Sequence, residues 1–193
     1  VRLNKKIIVI EGYLASGKST FAVQLSKTLT IPYLIKDTFK IALCSSLSIA
    51  DRYESSRFSA VTFDAMMYVT ERLMETGYPF IIEGNFAPAG IKKTDESSVI
   101  KTLIHKYDYT PLTFQFMGDT QVLHQRFIER ENTLERGQVN KMGFIPSYSE
   151  FDKWCHNLDM FHIGGKIIKV DTTNFSTVDF TGYFNTASLF INS

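Results

Sequence analysis

The stretch from Ile7 to Thr20, IIVIEGYLASGKST, constrains this chain more than any other. Four consecutive apolar residues, Ile7 to Ile10, run directly into Gly12-Tyr13-Leu14-Ala15-Ser16-Gly17-Lys18-Ser19. That octapeptide satisfies the pattern G-x-x-x-x-G-K-[ST] at each fixed position. Glycines let the backbone turn tightly, so that several N–H groups converge on a di- or triphosphate. Lys18 adds a mobile positive charge for the terminal phosphates, and the Ser19 hydroxyl suits Mg²⁺. The residues that follow, Phe21 to Leu29, repeat apolar side chains at helical spacing, which turns a helix N-terminus toward the phosphates. A buried strand before and an amphipathic helix after are the context this motif needs. Gly12, Ala15, Ser16, Gly17, Lys18, Ser19 and Thr20 are therefore the expected nucleotide-binding residues.

Composition narrows the class. At 193 residues, 44% of them hydrophobic, the chain is long enough for a full core and is expected to form a single domain over 1–193. The formal net charge of +1 lacks the basic excess of a dedicated nucleic-acid binder. Cys44 and Cys155 stand apart with no metal-ligand spacing, so buried free thiols in a reducing compartment are expected. With no apolar run of membrane-spanning length and no signal-peptide pattern, the sequence predicts a cytoplasmic protein without a membrane partner. It does not give the oligomeric state.

Along the chain, strand and helix patterns alternate, which predicts an α/β protein with a mostly parallel sheet. Strands are expected at about Lys6–Glu11, Tyr33–Ile35, Pro79–Ile82, Leu112–Met117 and Lys166–Val170. Helices are expected at Lys18–Leu29, Asp37 to about Ala50, about Arg57–Thr76, Asp95–Tyr107, after the Asp119-Thr120 cap, after the Ser147–Glu150 capping box, and over roughly Thr177–Ile191. In the long helix that precedes the third strand, Val61, Ala65, Tyr68, Val69 and Leu73 recur at three- and four-residue spacings and form the expected apolar stripe. The polar, glycine-containing stretch from Arg130 to about 146 reads as a lid.

Strand C-termini are where open α/β folds bind ligands, and acids stand there. Asp37 follows the second strand and is the candidate general base; the competing reading makes it the N-cap of the next helix. Lys36 and Lys40 beside it either steer an anionic acceptor or stay solvated. Glu83 ends the third strand and is expected to hold a Mg²⁺-bound water or to orient the acceptor, with Asn85 as a weaker candidate. Arg126 and Arg130 lie four apart on one helix, and Arg136 follows in the lid; such arginines stabilise charge on a transferring phosphoryl group. The four histidines have no metal-ligand spacing and read as surface or structural.

The phosphate loop, Lys36-Asp37 and Arg126/Arg130/Arg136, in this order, resemble the P-loop kinases of the nucleoside-monophosphate-kinase-like group. Within that group the chain is similar to small kinases related to polynucleotide 5′-kinases, chloramphenicol phosphotransferase, gluconate kinase and zeta toxins. Leu34-Ile35-Lys36-Asp37-Thr38-Phe39-Lys40 resembles their second-strand acid, and Phe80-Ile81-Ile82-Glu83-Gly84-Asn85-Phe86 their third strand. The resemblance implies a three-layer α/β/α P-loop NTPase fold with a five-stranded parallel sheet of order 2-3-1-4-5 and an arginine-bearing lid. That order sets Asp37 across an acceptor cleft from the phosphate loop. It also implies that Val170–Thr173 lies near the adenine.

The expectation is an ATP- and Mg²⁺-dependent kinase that transfers the γ-phosphate to a hydroxyl of a small molecule. Lys18 and Arg130 stabilise the phosphoryl group, Ser19 and (through water) Glu83 serve the metal, and Asp37 is the base. Arg126 and Arg136 join the nucleotide contacts. A polynucleotide 5′-hydroxyl, which calls for a basic groove at Lys36, Lys40, Lys92 and Lys93, or a nucleotide phosphate are alternative acceptors. A non-catalytic nucleotide-binding module is the alternative of another class.

Overall fold

The computed structural model describes residues 4–47, 49, 52–88, 95–131, 133 and 144–193. Five strands, β1 (Lys6–Gly12), β2 (Tyr33–Ile35), β3 (Phe80–Glu83), β4 (Thr110–Met117) and β5 (Lys166–Asp171), form one sheet in the order β2-β3-β1-β4-β5. All neighbours pair in parallel. The helices are α1 (Lys18–Leu29), α2 (Lys36–Ser46), α3 (Arg52–Arg57), α4 (Ser59–Thr76), α5 (Glu96–Tyr107), α6 (Thr120–Glu131), α7 (Tyr148–His156) and α8 (Phe180–Asn192). Single 3₁₀ turns lie at Asn157–Met160 and Phe175–Thr177.

The apolar run Ile7–Ile10 is central because both of its faces are covered, as parallel strands require. Ile7 and Val9 point into one layer with Phe63, Met66, Phe80 and Ile100. Ile8 and Ile10 point into the other with Phe21, Leu25, Ala187 and Ile191. All four are fully buried. Each buried side chain of this size contributes about 1.5–3 kcal/mol.

Helix ends follow local chemistry. Asp95 caps α5 by accepting from the Ser98 N–H at 3.0 Å. Ser147 and Glu150 close the expected capping box on α7. Gly77 ends α4 in the left-handed region at φ 70°.

Several expectations need correction. The helix expected from about Arg57 to Thr76 is α4, which starts at Ser59 after the separate short α3, and it buries Phe63, Met66, Met67, Thr70 and Met74. Val61 and Tyr68, from the expected stripe, are exposed. The helix carries apolar residues on two faces, and the sheet takes the face with the larger Phe and Met side chains. Thr62 can join that face because its hydroxyl donates to the Phe58 carbonyl at 2.7 Å. The helix from Asp37 begins one residue earlier, at Lys36, and ends at Ser46. The last helix starts later, at Phe180, because Asp179 caps it by accepting from the Gly182 N–H at 2.9 Å. The lid expected over about 130–146 falls largely outside the described residues; α6 itself runs on to Glu131. Cys44 and Cys155 are buried free thiols. Among the described residues no helix is long and apolar enough to cross a membrane.

Candidate active site

The C-terminal ends of β1, β2 and β3 meet at the phosphate loop. The pairing register sets Ile10 beside Glu83, and Ile35 beside Glu83 from the other side. The loop itself needs its glycines. Gly12 has φ 121°, and a Cβ there would lie 2.0 Å from the Phe116 carbonyl oxygen. Gly17 has φ 87°, and Ala15 also takes a positive φ, of 58°. Left-handed residues interspersed in a short loop are the backbone pattern that anion cradles of N–H groups use. Ser16 donates to the Tyr13 carbonyl at 2.7 Å and holds the turn from inside.

Lys18 is buried and donates to the carbonyls of Gly12 at 3.0 Å and Tyr13 at 2.5 Å. Burial holds its pKa below the usual lysine value, while Glu83, Glu11 and Asp37 pull it back up. Ser19 donates to Glu83 Oε2 at 3.0 Å. Glu83 is almost fully buried, and burial pushes its pKa up to about 7. The Asp37 carboxylate adds to that rise; Lys18, the Ser19 hydrogen bond and Arg130 oppose it. Lys18, Ser19, Asp37, Glu83 and Arg130 thus share one electrostatic neighbourhood.

Asp37 lies exposed in the first turn of α2, whose N-cap is Ile35. The N-cap reading of Asp37 is therefore corrected: its carboxylate occupies no cap position. Lys36 is neither solvated nor poised for an acceptor. It is buried, with Nζ 2.6 Å from both oxygens of Glu96 on α5, and it faces the rings of Phe63 and Phe86. Glu96 also accepts from the Ala87 N–H at 2.8 Å. Lys40 is buried as well. Among the described residues Asn85 Oδ1 is buried without a hydrogen-bond partner, beside this ion pair.

On the other side of the loop, Arg126 donates to the carbonyls of Thr172 at 2.6 Å and Thr173 at 2.7 Å. Its guanidinium lies 4.1 Å over the Phe175 ring, and the ring edge packs on Gly17. Arg130 is exposed on the last turn of α6. Arg136, Lys92 and Lys93 lie outside the described residues.

Three residues of the site were not expected. Glu11 is fully buried opposite Gln115, with neither carboxylate oxygen in hydrogen-bond geometry with a partner among the described residues. Burial raises its pKa to about 8, with Gln115 and Lys18 opposing. Tyr13 is buried against α6 and α7 and donates to Asp159 at 3.0 Å beside His156. Phe175 is the third. Its only sequence signal is an aromatic residue inside a polar Thr-Thr-Asn-Phe-Ser-Thr run.

The residues present suit Mg²⁺ and a nucleoside triphosphate. A left-handed backbone cradle, a buried lysine and a hydroxyl–carboxylate pair form the donor set that hard, oxygen-bound Mg²⁺ and its phosphates use.

No protein-family model and no curated protein matches the sequence. Solved structures do match. A candidate kinase from Chloroflexus aurantiacus is 21% identical, with a TM-score of 0.81 over 100% of this chain and 98% of that one. A gluconokinase from Sinorhizobium meliloti is 15% identical, with a TM-score of 0.56 over 100% and 94%. A shikimate kinase from Bacteroides thetaiotaomicron is 11% identical, with a TM-score of 0.57 over 97% and 99%. The chain therefore has the fold of the P-loop kinases, sheet order included, over its whole length.

Proposed function

We propose that this protein is an ATP-dependent kinase that phosphorylates a hydroxyl of a small molecule. The observation that carries the reading is the Ser19–Glu83 hydrogen bond at 3.0 Å, with Lys18 and Asp37 in electrostatic contact with the same carboxylate. The fold likeness to small-molecule kinases supports it.

In this mechanism the loop N–H groups of Ala15 to Thr20 bind the phosphates. Lys18 leaves the Gly12 and Tyr13 carbonyls for the terminal phosphates and offsets their charge. Ser19 would ligate Mg²⁺ and Glu83 would hold a water of its shell; bound there, the metal neutralises charge on the phosphates. Asp37 accepts the proton of the acceptor hydroxyl, and its exposure leaves it open to solvent and acceptor alike. Arg130, whose charge is felt at Glu83, would act on the same phosphates, and Arg126 and Arg136 would complete the nucleotide contacts.

A neutral acceptor fits better than an anionic one on the described residues. Lys36, the nearest candidate for an acceptor anion or a nucleic-acid groove, is neutralised by Glu96. Acceptor-dependent ADP release tests the function. The panel holds sugars, nucleosides, nucleoside monophosphates, a 5′-hydroxyl oligonucleotide and hydroxyl-bearing antibiotics, with Lys18→Ala as the blank. Stimulation by a neutral polyol or alcohol supports the reading, and ADP release that no acceptor raises supports a nucleotide-binding module instead.

A further inference from the structure

The proposed transfer needs two carboxylates at a fixed separation, Asp37 for the acceptor proton and Glu83 for the metal-bound water. They belong to the ends of two different strands. Ile35 pairs with Glu83 in the sheet, which sets β2 and β3 in register up to that point. There both strands end: one chain segment turns into α2, and the other leaves the sheet at Gly84. The side chain that joins the two segments beyond the sheet is Lys36.

We propose that Lys36, gripped by Glu96, is a positioning residue for phosphoryl transfer, spacing the turn that bears Asp37 from the end of β3 that bears Glu83. The inference rests on the kinase reading above, with Asp37 as its base.

Three sets of contacts carry it. The first fixes the grip. The Glu96 N–H donates to the Ala87 carbonyl at 3.0 Å, and the Glu96 carboxylate accepts from the Ala87 N–H at 2.8 Å. Glu96 is thereby tied, by backbone and side chain, to the segment after β3. The second is the head of the lysine. Its Nζ lies 2.6 Å from both Glu96 oxygens and donates to the Asn85 carbonyl at 3.4 Å. The third is its stem. A Cβ on Gly84 would fall 2.9 Å from the Lys36 Cβ and 3.2 Å from its Cδ, so the stem lies against that glycine. One side chain thus runs from the residue before Asp37, across the residue after Glu83, to the start of α5.

Stability alone does not account for a charge at this place. A buried ion pair is often no more stabilising than apolar residues of the same volume, and the rings of Phe63 and Phe86 already face Lys36. What the ammonium adds is a single geometry, because charge-assisted hydrogen bonds fix both distance and direction. Transfer is sensitive to that geometry: a displacement of about 1 Å can cost about a hundredfold in rate.

Steady-state kinetics on the full chain test this, with Mg²⁺-ATP and whichever compound of the panel raises wild-type ADP release most. Lys36→Met/Glu96→Leu removes both charges together, so that neither is left buried alone. Gly84→Ala keeps the ion pair and pushes the Lys36 stem away from β3. Each is expected to lower kcat by about tenfold to a hundredfold and to leave the KM for ATP within about twofold. In an Asp37→Asn chain the same changes are expected to lower kcat by no more than about twofold further, because Lys36 acts through Asp37. Urea denaturation accompanies each variant, and Gly84→Ala decides alone if the double variant does not fold. Wild-type kcat in the folded variants overturns the inference. Equal losses with and without Asp37 also overturn it, since they would make the pair a general support of the fold. A higher KM for ATP at unchanged kcat does the same, by moving the effect to the phosphate loop. All three outcomes leave the kinase reading intact. An Asp37→Asn chain with the wild-type kcat removes the base and this inference with it. A wild-type chain whose ADP release no panel compound raises removes the kinase reading as well.

Discussion

Lys36 and Glu96 form a buried ion pair that joins the start of α2 to the start of α5, with Nζ 2.6 Å from both carboxylate oxygens. Lys36 immediately precedes Asp37, so the pair anchors the turn from which the candidate base projects. Removing one partner of a buried ion pair costs about 3–5 kcal/mol. Glu96→Ala is therefore expected to lower unfolding free energy by that order in urea denaturation. The double variant Lys36→Met/Glu96→Leu is expected to lose clearly less. Equal losses in the two would show that Glu96 acts through its Ala87 N–H contact and not through the charge.

Asp37 is exposed, outside any cap, and electrostatically coupled to Glu83 and Lys18. Asp37→Asn is expected to lower kcat by roughly two to four orders of magnitude with little change in the KM for ATP. Steady-state kinetics with the acceptor found in the panel check this. A variant that keeps the wild-type kcat removes Asp37 from the role of base.

Glu11 gives a pH signature to the nucleotide-free protein. Its folded pKa, about 8, lies above the ordinary carboxylate value of 4.5. The folded state then holds a proton that the unfolded state has released between these values. Glu11 therefore favours folding fully below about pH 4.5, and its contribution falls as pH rises toward 8. At about 1.4 kcal/mol per pH unit, the swing is on the order of a few kcal/mol. Glu11→Gln carries no such proton and is expected to unfold at nearly the wild-type denaturant midpoint at pH 5 but at a higher one at pH 8. Parallel pH dependences in the two chains would mean that Glu11 is ionised in both states.

Gly12 tests the cradle. Its φ of 121° and the 2.0 Å approach of an added Cβ to the Phe116 carbonyl leave no room for a side chain against backbone. Gly12→Ala must move β1 away from β4, at a cost of about 3 kcal/mol or more in strain and lost pairing. The expected result is a lowered melting temperature together with loss of tripolyphosphate binding. Lys18→Ala, by contrast, should keep the wild-type melting temperature or raise it, because it removes a buried charge, and should still abolish phosphoryl transfer.

The sequence alone determined the elements whose signals are local. The apolar run of β1, the glycine-lysine-serine pattern and the apolar repeat after it specify strand, loop and helix through backbone sterics and periodicity. The Ser147–Glu150 box and the Asp119 cap act within three residues of themselves, so their helices were legible too. The resemblance carried by the phosphate loop, Asp37 and the arginines added the sheet order that the structure has. Contacts between distant segments were decided only by the tertiary structure. Periodicity showed that α4 has apolar faces, but packing volume against β3 and α5 chose Phe63 and Met66 over Val61 and Tyr68. Lys36 read as a cation that either steers an anionic acceptor or stays solvated, because its partner stands sixty residues later, at Glu96. Phe175 carried no expectation from the sequence, because the groups it meets, Arg126 and Gly17, stand on two other elements. A charge or a ring takes its role from what the fold sets beside it, and that neighbour is not encoded within a few residues of the chain.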